Sequence, residues 1–195
     1  CALPIYPHWS GTVPGDIKFK DINNDGKINA DDRVRRTKNS EPRFVGGFNV
    51  NLRYKNFDLM ALFQGALGAE TYIQTWSGTV GNYLKDFYDK RWTTENPNVE
   101  HPRAYERENQ YWISNWNTYF IRSCDYLRLK NMELGYNITL PALKNAGISN
   151  ARIYVNATNI FTIDKLKVAD PEADDRNITS YPQRRVVNFG VSLTF

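Results

Sequence analysis

The densest group of chemically capable side chains lies near the start of the chain, in Asp21-Ile-Asn-Asn-Asp-Gly-Lys-Ile-Asn-Ala-Asp-Asp32. Asp21, Asn23 and Asp25 offer oxygen at every second position, Gly26 permits a sharp turn, and Lys27 contributes its carbonyl. Asn29 can hold a water, and Asp32 closes the set. Calcium takes about six to eight hard oxygens, and a tight turn brings such residues onto one ion. The spacing therefore predicts one structural Ca²⁺ on Asp21, Asn23, Asp25, Lys27, Asn29 and Asp32. Three carboxylates drawn together without a cation would repel one another. The alternative is an Asx-rich turn that carries no ion.

No other constellation points to catalysis. His8 and His101 are the only histidines, and neither stands in a metal-ligand spacing or beside a G-x-S-x-G or H-E-x-x-H pattern. Cys1 and Cys124 form neither a zinc spacing nor a disulfide framework. Glu106, Arg107 and Glu108 read as a solvated charge run. The expectation is a protein that is not an enzyme. Trp76, Trp112 and Trp116 could stack on a ligand ring or meet a partner, since an aromatic offers an apolar face and a polar edge. They could equally pack the segment that carries them. For Trp92 packing is the favoured reading.

These residues need elements to hold them, and the elements are strands. Arg43 to Tyr54 alternates, with Phe44, Phe48, Val50, Leu52 and Tyr54 on one face and Asn49, Asn51 and Arg53 on the other. Lys55-Asn56 is a hairpin turn into Phe57 to Leu67, which puts Phe57, Leu59, Ala61, Phe63 and Leu67 together; Met60 and Leu62 blur its other face. A third strand spans about 119–138, with Met132, Leu134, Tyr136 and Ile138 in phase. Leu127 and Leu129 are out of phase, which means either a bulge near Lys130-Asn131 or an upper half standing above a membrane. A fourth spans 151–162, and the fifth, 184–195, puts Val187, Phe189, Val191, Leu193 and Phe195 on one face. Between them lie a compact connector at 139–150 and long irregular segments at 6–41, 68–117 and 164–182, with a short helix near Leu84 to Trp92.

The connections alternate long and short, as in a transmembrane barrel with short periplasmic turns, and each strand is near the roughly 9–11 residues that cross the hydrocarbon. Tyr54 and Phe57 flank the short turn, where an interfacial aromatic girdle would lie. The mean hydropathy of −0.59 does not oppose this, because barrel strands hide their apolar half by alternation. A net charge of +4 over 195 residues is too slight to imply nucleic acid. Five strands cannot close a barrel, so the expectation is one part of a larger protein whose remaining strands are elsewhere.

The motifs also carry a resemblance. Pro14-Gly-Asp-Ile-Lys-Phe-Lys-Asp-Ile-Asn-Asn-Asp-Gly-Lys-Ile28, Tyr54-Lys-Asn-Phe-Asp-Leu59 with Phe63-Gln-Gly65, and Arg91-Trp-Thr-Thr-Glu-Asn-Pro97 resemble the SusC/RagA family of TonB-linked outer-membrane proteins of Bacteroidetes. So do Tyr126-Leu-Arg-Leu-Lys-Asn131 with Leu134-Gly-Tyr136, the run Tyr154 to Phe161, and the ending from Tyr181 through Gly190 to Phe195. The resemblance implies an all-β fold, the last five strands of a plugged barrel of about 22. Residues 1–41 would be an extracellular loop, with 1–5 extraneous, and 42–195 the barrel strands and loops. It implies import of oligosaccharides or peptides with a SusD-like surface lipoprotein, TonB contact through an N-terminal region absent here, and residence among outer-membrane lipid. Phe195 would be the assembly signal. The other readings are a calcium-binding dockerin-like module, which needs a second copy of the loop, and a barrel-anchored adhesin without transport.

Overall fold

The computed structural model describes residues 6–9, 11–73, 85–104, 117–173 and 180–195. In chain order its strands are β1 (Phe44–Tyr54), β2 (Phe57–Leu67), β3 (Glu70–Tyr72), β4 (Ile121–Ser123), β5 (Tyr126–Ile138), β6 (Asn150–Thr158), β7 (Thr162–Asp164) and β8 (Val186–Thr194). Among the described residues two short helices, α1 (Lys85–Asp89) and α2 (Pro141–Asn145), lie in the connections. The chain divides into two units, one of Cys1–Thr37 with Ile73–Ile121 and one of Lys38–Tyr72 with Arg122–Phe195.

The second unit is built on one antiparallel sheet in the order β1-β2-β5-β6-β8, with β7 also pairing β5. The β1–β2 turn is tight, and Lys55 takes the positive φ (53°) that the first central residue of such a hairpin needs. Register then does something the single strands do not reveal. Leu52, Leu59, Leu134, Val155 and Phe189 form one continuous row across all five strands. Tyr54, Phe57, Tyr136, Ile153 and Val191 form the next, and Val50, Ala61, Met132, Ala157 and Val187 a third. The rows between them carry Arg53, Asp58, Gly135, Tyr154 and Gly190, and Asn51, Met60, Glu133, Asn156 and Asn188. One face is apolar throughout and the other is predominantly polar.

The apolar face is not a core: Phe48, Phe189 and Val191 are exposed, Phe189 at 85%. From the Phe44–Leu67 pair to the Tyr54–Phe57 pair the band runs the full length of the hairpin. At about 3.4 Å per residue and a tilt of about 40° its height is roughly 25 Å, the height of a lipid-facing band. Aromatic rings gather at the short-turn end, where Phe57 and Tyr136 lie 4.8 Å apart.

Three elements depart from the sequence expectations. The third strand is not continuous over 119–138: a 3-10 turn at Thr118–Phe120 leads to β4, and the chain steps at Cys124-Asp125 before β5 begins. The step has a cause on the facing chain. Gly68 turns with φ 89°, its N–H donates to the Asp125 carboxylate at 2.6 Å, and Cys124 N–H bonds Ala69 O at 3.0 Å. The fourth strand likewise ends at Thr158, where Asn159 takes a left-handed φ of 52°, and resumes as β7. Third, the connector at 139–150 contains α2. The bulge is where the phase shift put it. Leu62 pairs Asn131 while Phe63 pairs Leu129, so Lys130 is the extra residue, and the slip returns Leu127 and Leu129 to the apolar face.

Glycines on the polar face make room for the neighbouring strand. A Cβ at Gly135 would collide with the Arg152 guanidinium and the Asp58 carboxylate, and one at Gly190 with the Tyr154 ring. Large polar side chains can therefore lie flat along the wall.

Candidate functional site

Two charge clusters sit on the polar face. In the first, Arg152 of β6 crosses Gly135 to reach Asp58 on β2. Its Nη2 donates to Asp58 Oδ1 at 2.7 Å and to Glu133 Oε1 at 2.7 Å, while Nε donates to Asp58 Oδ1 at 3.0 Å. The guanidinium also lies 5.1 Å from the Tyr154 ring centroid. One row further along, Asn188 Nδ2 donates to Asn156 Oδ1 at 2.9 Å. The cluster ties three strands with one cation and two carboxylates.

The second cluster lies at the long-loop end. Arg128 of β5 is buried at 3% exposure, and it donates to Thr162 Oγ1 (2.8 Å), Glu172 Oε2 (2.9 Å) and Asp170 Oδ1 (2.9 Å). Lys130, the bulged residue, adds Nζ contacts to Glu172 Oε2 at 2.8 Å and Gln183 Oε1 at 3.1 Å. Burial pushes the Asp170 carboxyl up, but N–H groups of Glu172 and Gln183 and the Arg128 guanidinium outweigh it and hold the pKa below the usual value. Together these bonds fold the segment after β7 back over the polar face. A cavity of about 370 Å³ lies beside them, walled by Gln64, Ala66, Tyr126, Pro171 and Glu172. Nothing here is a nucleophile beside a base; the chemistry is charge fixation and shape.

The oxygen-rich loop lies in the first unit. Its side chains satisfy its own backbone: Asp21 accepts from Asn24 and Gly26 N–H (2.7 and 2.9 Å), and Asp25 from Lys27 N–H at 2.8 Å. Asn23 and Asn29 accept from Asp25 and Asp31 N–H. Asp32 reaches back to Ile22 N–H at 2.7 Å and Asn29 N–H at 2.9 Å, and these backbone N–H groups hold its pKa below the usual carboxylate value. Among the described residues no group of three or more His, Cys, Asp or Glu side chains is gathered as a metal cage. In this arrangement backbone N–H groups donate to the carboxylates of Asp21, Asp25 and Asp32.

In the same unit Trp92 lies against Gly15 so closely that a Cβ there would meet its ring at 2.5 Å. Arg103 Nε bonds the buried Asp16 at 2.5 Å, and Arg103 N–H bonds Gly15 O at 2.8 Å. Packing is thus the role of Trp92. Buried His101 stacks on Phe87 and contacts the Tyr119 hydroxyl at 2.8 Å. Trp76, Trp112, Trp116 and the 106–108 charge run lie outside the described residues.

With this geometry in hand, comparison with known proteins is specific. No family model matches. TonB-dependent receptor P3 of Formosa agariphila is 31% identical over 97% of this chain, and TonB-dependent receptor P26 of the same organism is 31% identical over 94%. The RagAB peptide transporter structure superposes with a TM-score of 0.69 at 25% identity, covering 87% of this chain and 19% of that one. The RagAB peptide importer in its "open-open" state gives 0.65 at 26% identity, again covering 87% of this chain and 19% of its own. The chain belongs to the SusC/RagA family of TonB-linked outer-membrane proteins. It spans about a fifth of the length of the curated relatives it matches, 20% for both P3 and P26.

As part of a SusC/RagA barrel the sheet stands in the outer membrane, its apolar face toward lipid and its polar face toward the lumen. The barrel is not closed by these strands alone. The named relatives are receptors and importers rather than enzymes. Sequence reading did not single out Arg128, Asp170, Glu172, Arg152 or Asp58. Arg152 and Asp58 were legible only as polar members of alternating strands; their pairing needs the register. Arg128 sat above the bulge, where phase was ambiguous, and its partners are 42 and 44 residues away.

Arg128→Met in the whole receptor should free the segment after β7, because breaking a buried ion pair leaves the Asp170 carboxylate without its cation, at a cost of about 3–5 kcal/mol, while Glu172 keeps only Lys130. A dye on Lys167→Cys should show low mobility by fluorescence anisotropy at pH 7, and high mobility once Arg128 is replaced. Since the folded-state pKa of Asp170 is depressed, its contribution is complete above the ordinary carboxylate pKa of about 4 and fades below it. The unsubstituted wall should therefore release the dye on acidification, and the Arg128→Met wall should show no such transition. Equal anisotropy of the two at pH 7 would contradict the clamp.

Proposed function

We propose that the whole receptor imports an oligomeric nutrient, an oligosaccharide or a peptide, energised by TonB and with a SusD-like surface lipoprotein as its lid. The observation that carries this reading is the two-faced wall: apolar rows for lipid on one side, fixed charges and flat-lying polar side chains for an aqueous passage on the other. The structural neighbours, named as peptide importers, favour the peptide within that class. Trp76, Trp112 and Trp116 fall to the lid or the cargo, and Phe195 to recognition by the assembly machinery, on the resemblance and on aromatic density alone. A strain lacking the receptor gene should lose growth on at least one glycan or peptide that the wild type uses as sole nutrient. The gene restored without the Phe195 codon should yield less heat-modifiable barrel and incomplete rescue. Undiminished growth of the deletion strain on every such nutrient contradicts the import reading.

We further propose that Asp21, Asn23, Asp25, Lys27, Asn29 and Asp32 bind one Ca²⁺ in a structural role. Support comes from Asp32, the last ligand position, which already folds back onto Ile22 at the loop's start. Binding would exchange some amide contacts for the ion, so affinity should be modest, on the order of 10⁻⁴ to 10⁻³ M. Calorimetric titration of the whole receptor should give a heat that the Asp21→Ala, Asp25→Ala double variant lacks. Equal heats, or none from either at millimolar calcium, would leave the Asx turns alone.

A further inference from the structure

The apolar face is not uniform. A furrow of about 490 Å³ runs across β5, β6 and β8 between two of its rows. One wall is the row of Phe57, Tyr136, Ile153 and Val191, and the other is Leu134, Val155 and Phe189. Its floor is the row between, Gly135, Tyr154 and Gly190, whose side chains or missing side chains belong to the lumen face. The floor is therefore backbone. On the opposite side the space over its two glycines is taken by Arg152 and Tyr154. On β6, the central strand of the furrow, the next outward positions on either side are Ala151 and Ala157, so Ile153 and Val155 stand above them.

We propose that this furrow seats one acyl chain of a phospholipid from the periplasmic leaflet. It is continuous with the lipid-facing surface already described, so hydrocarbon is what meets it. Its height decides the leaflet: the Tyr54–Phe57 pair at one wall borders the Lys55-Asn56 turn, the short-turn end of the wall, and short turns lie on the periplasmic side. Lipopolysaccharide occupies the other leaflet. The furrow crosses strands tilted about 35–45° from the membrane normal, so it lies roughly midway between the membrane plane and its normal, where an acyl chain can follow it. The ligand chemistry is dispersion and apolar burial alone, with the Phe57 and Tyr136 rings, 4.8 Å apart, forming one stretch of wall.

The test uses the whole receptor in symmetric vesicles of phosphatidylethanolamine and phosphatidylglycerol, with a trace of phosphatidylethanolamine bearing a diazirine on one acyl chain. After photolysis, peptides spanning Leu134–Tyr136, Ile153–Val155 and Phe189–Val191 should carry several-fold more adduct than those spanning Phe48 or Phe63. Ile153→Trp should fill the furrow and cut that labelling at least threefold while the barrel remains heat-modifiable. If Ile153→Trp does not assemble, Val155→Phe, a smaller addition on the same outward face, serves the same purpose. Labelling spread evenly along the apolar face overturns the proposal, as does undiminished labelling in an assembled, filled variant. Preferential labelling of the furrow by a diazirine-bearing lipopolysaccharide, in vesicles carrying it on one side, overturns the assignment to phospholipid.

Discussion

Cross-strand register is the constraint on which the rest of this structure depends. In hydrocarbon every backbone N–H and C=O must find a partner within the protein, which leaves a spanning sheet no freedom to fray. Once the ladder is fixed, a side-chain period of two means that a slip of one residue would turn a strand's apolar side chains to the lumen and its polar ones to lipid. In the pairing of β2 with β5 the chain meets that constraint with an extra residue at Lys130. The bulge keeps Leu127 and Leu129 facing lipid and places Arg128 on the lumen side. A single inserted residue thus connects the membrane-facing pattern to the charge cluster at the long-loop end.

The lumen face follows from what register leaves behind. Gly135 and Gly190 stand where a neighbour's long side chain must cross, and Arg152 and Tyr154 use that space. The second cluster is balanced by the segment that folds over it, two cations against two carboxylates, whereas in the first a single guanidinium holds two carboxylates in place along the wall. On the lipid side the furrow is opened by the height of the two apolar rows that flank the same backbone.

Most of the wall was legible in the sequence because alternation needs no long-range information. The hairpin Phe44–Leu67, the terminal strand and the bulge could all be read from phase. The interruptions at Asp125 and Asn159 could not. Each depends on a partner far along the chain, Gly68 for Asp125 and Lys130 for Asn159, and a lone strand pattern holds no sign of either. The same holds for the charge clusters, whose members are spaced by tens of residues. The loop of Asp21 to Asp32 was read by residue type; the structure shows how those oxygens are used by the backbone, a competition that spacing alone does not reveal.

The central claim is that the even positions of β1 face lipid and the odd positions face the aqueous lumen. A nitroxide scan of the whole receptor in vesicles, one label at a time from Phe48 to Arg53, tests it directly by collision with dissolved oxygen and with a water-soluble nickel chelate. Oxygen accessibility should peak at Phe48, Val50 and Leu52, and chelate accessibility at Asn49, Asn51 and Arg53. Reversed phase, or no alternation at all, would contradict the account.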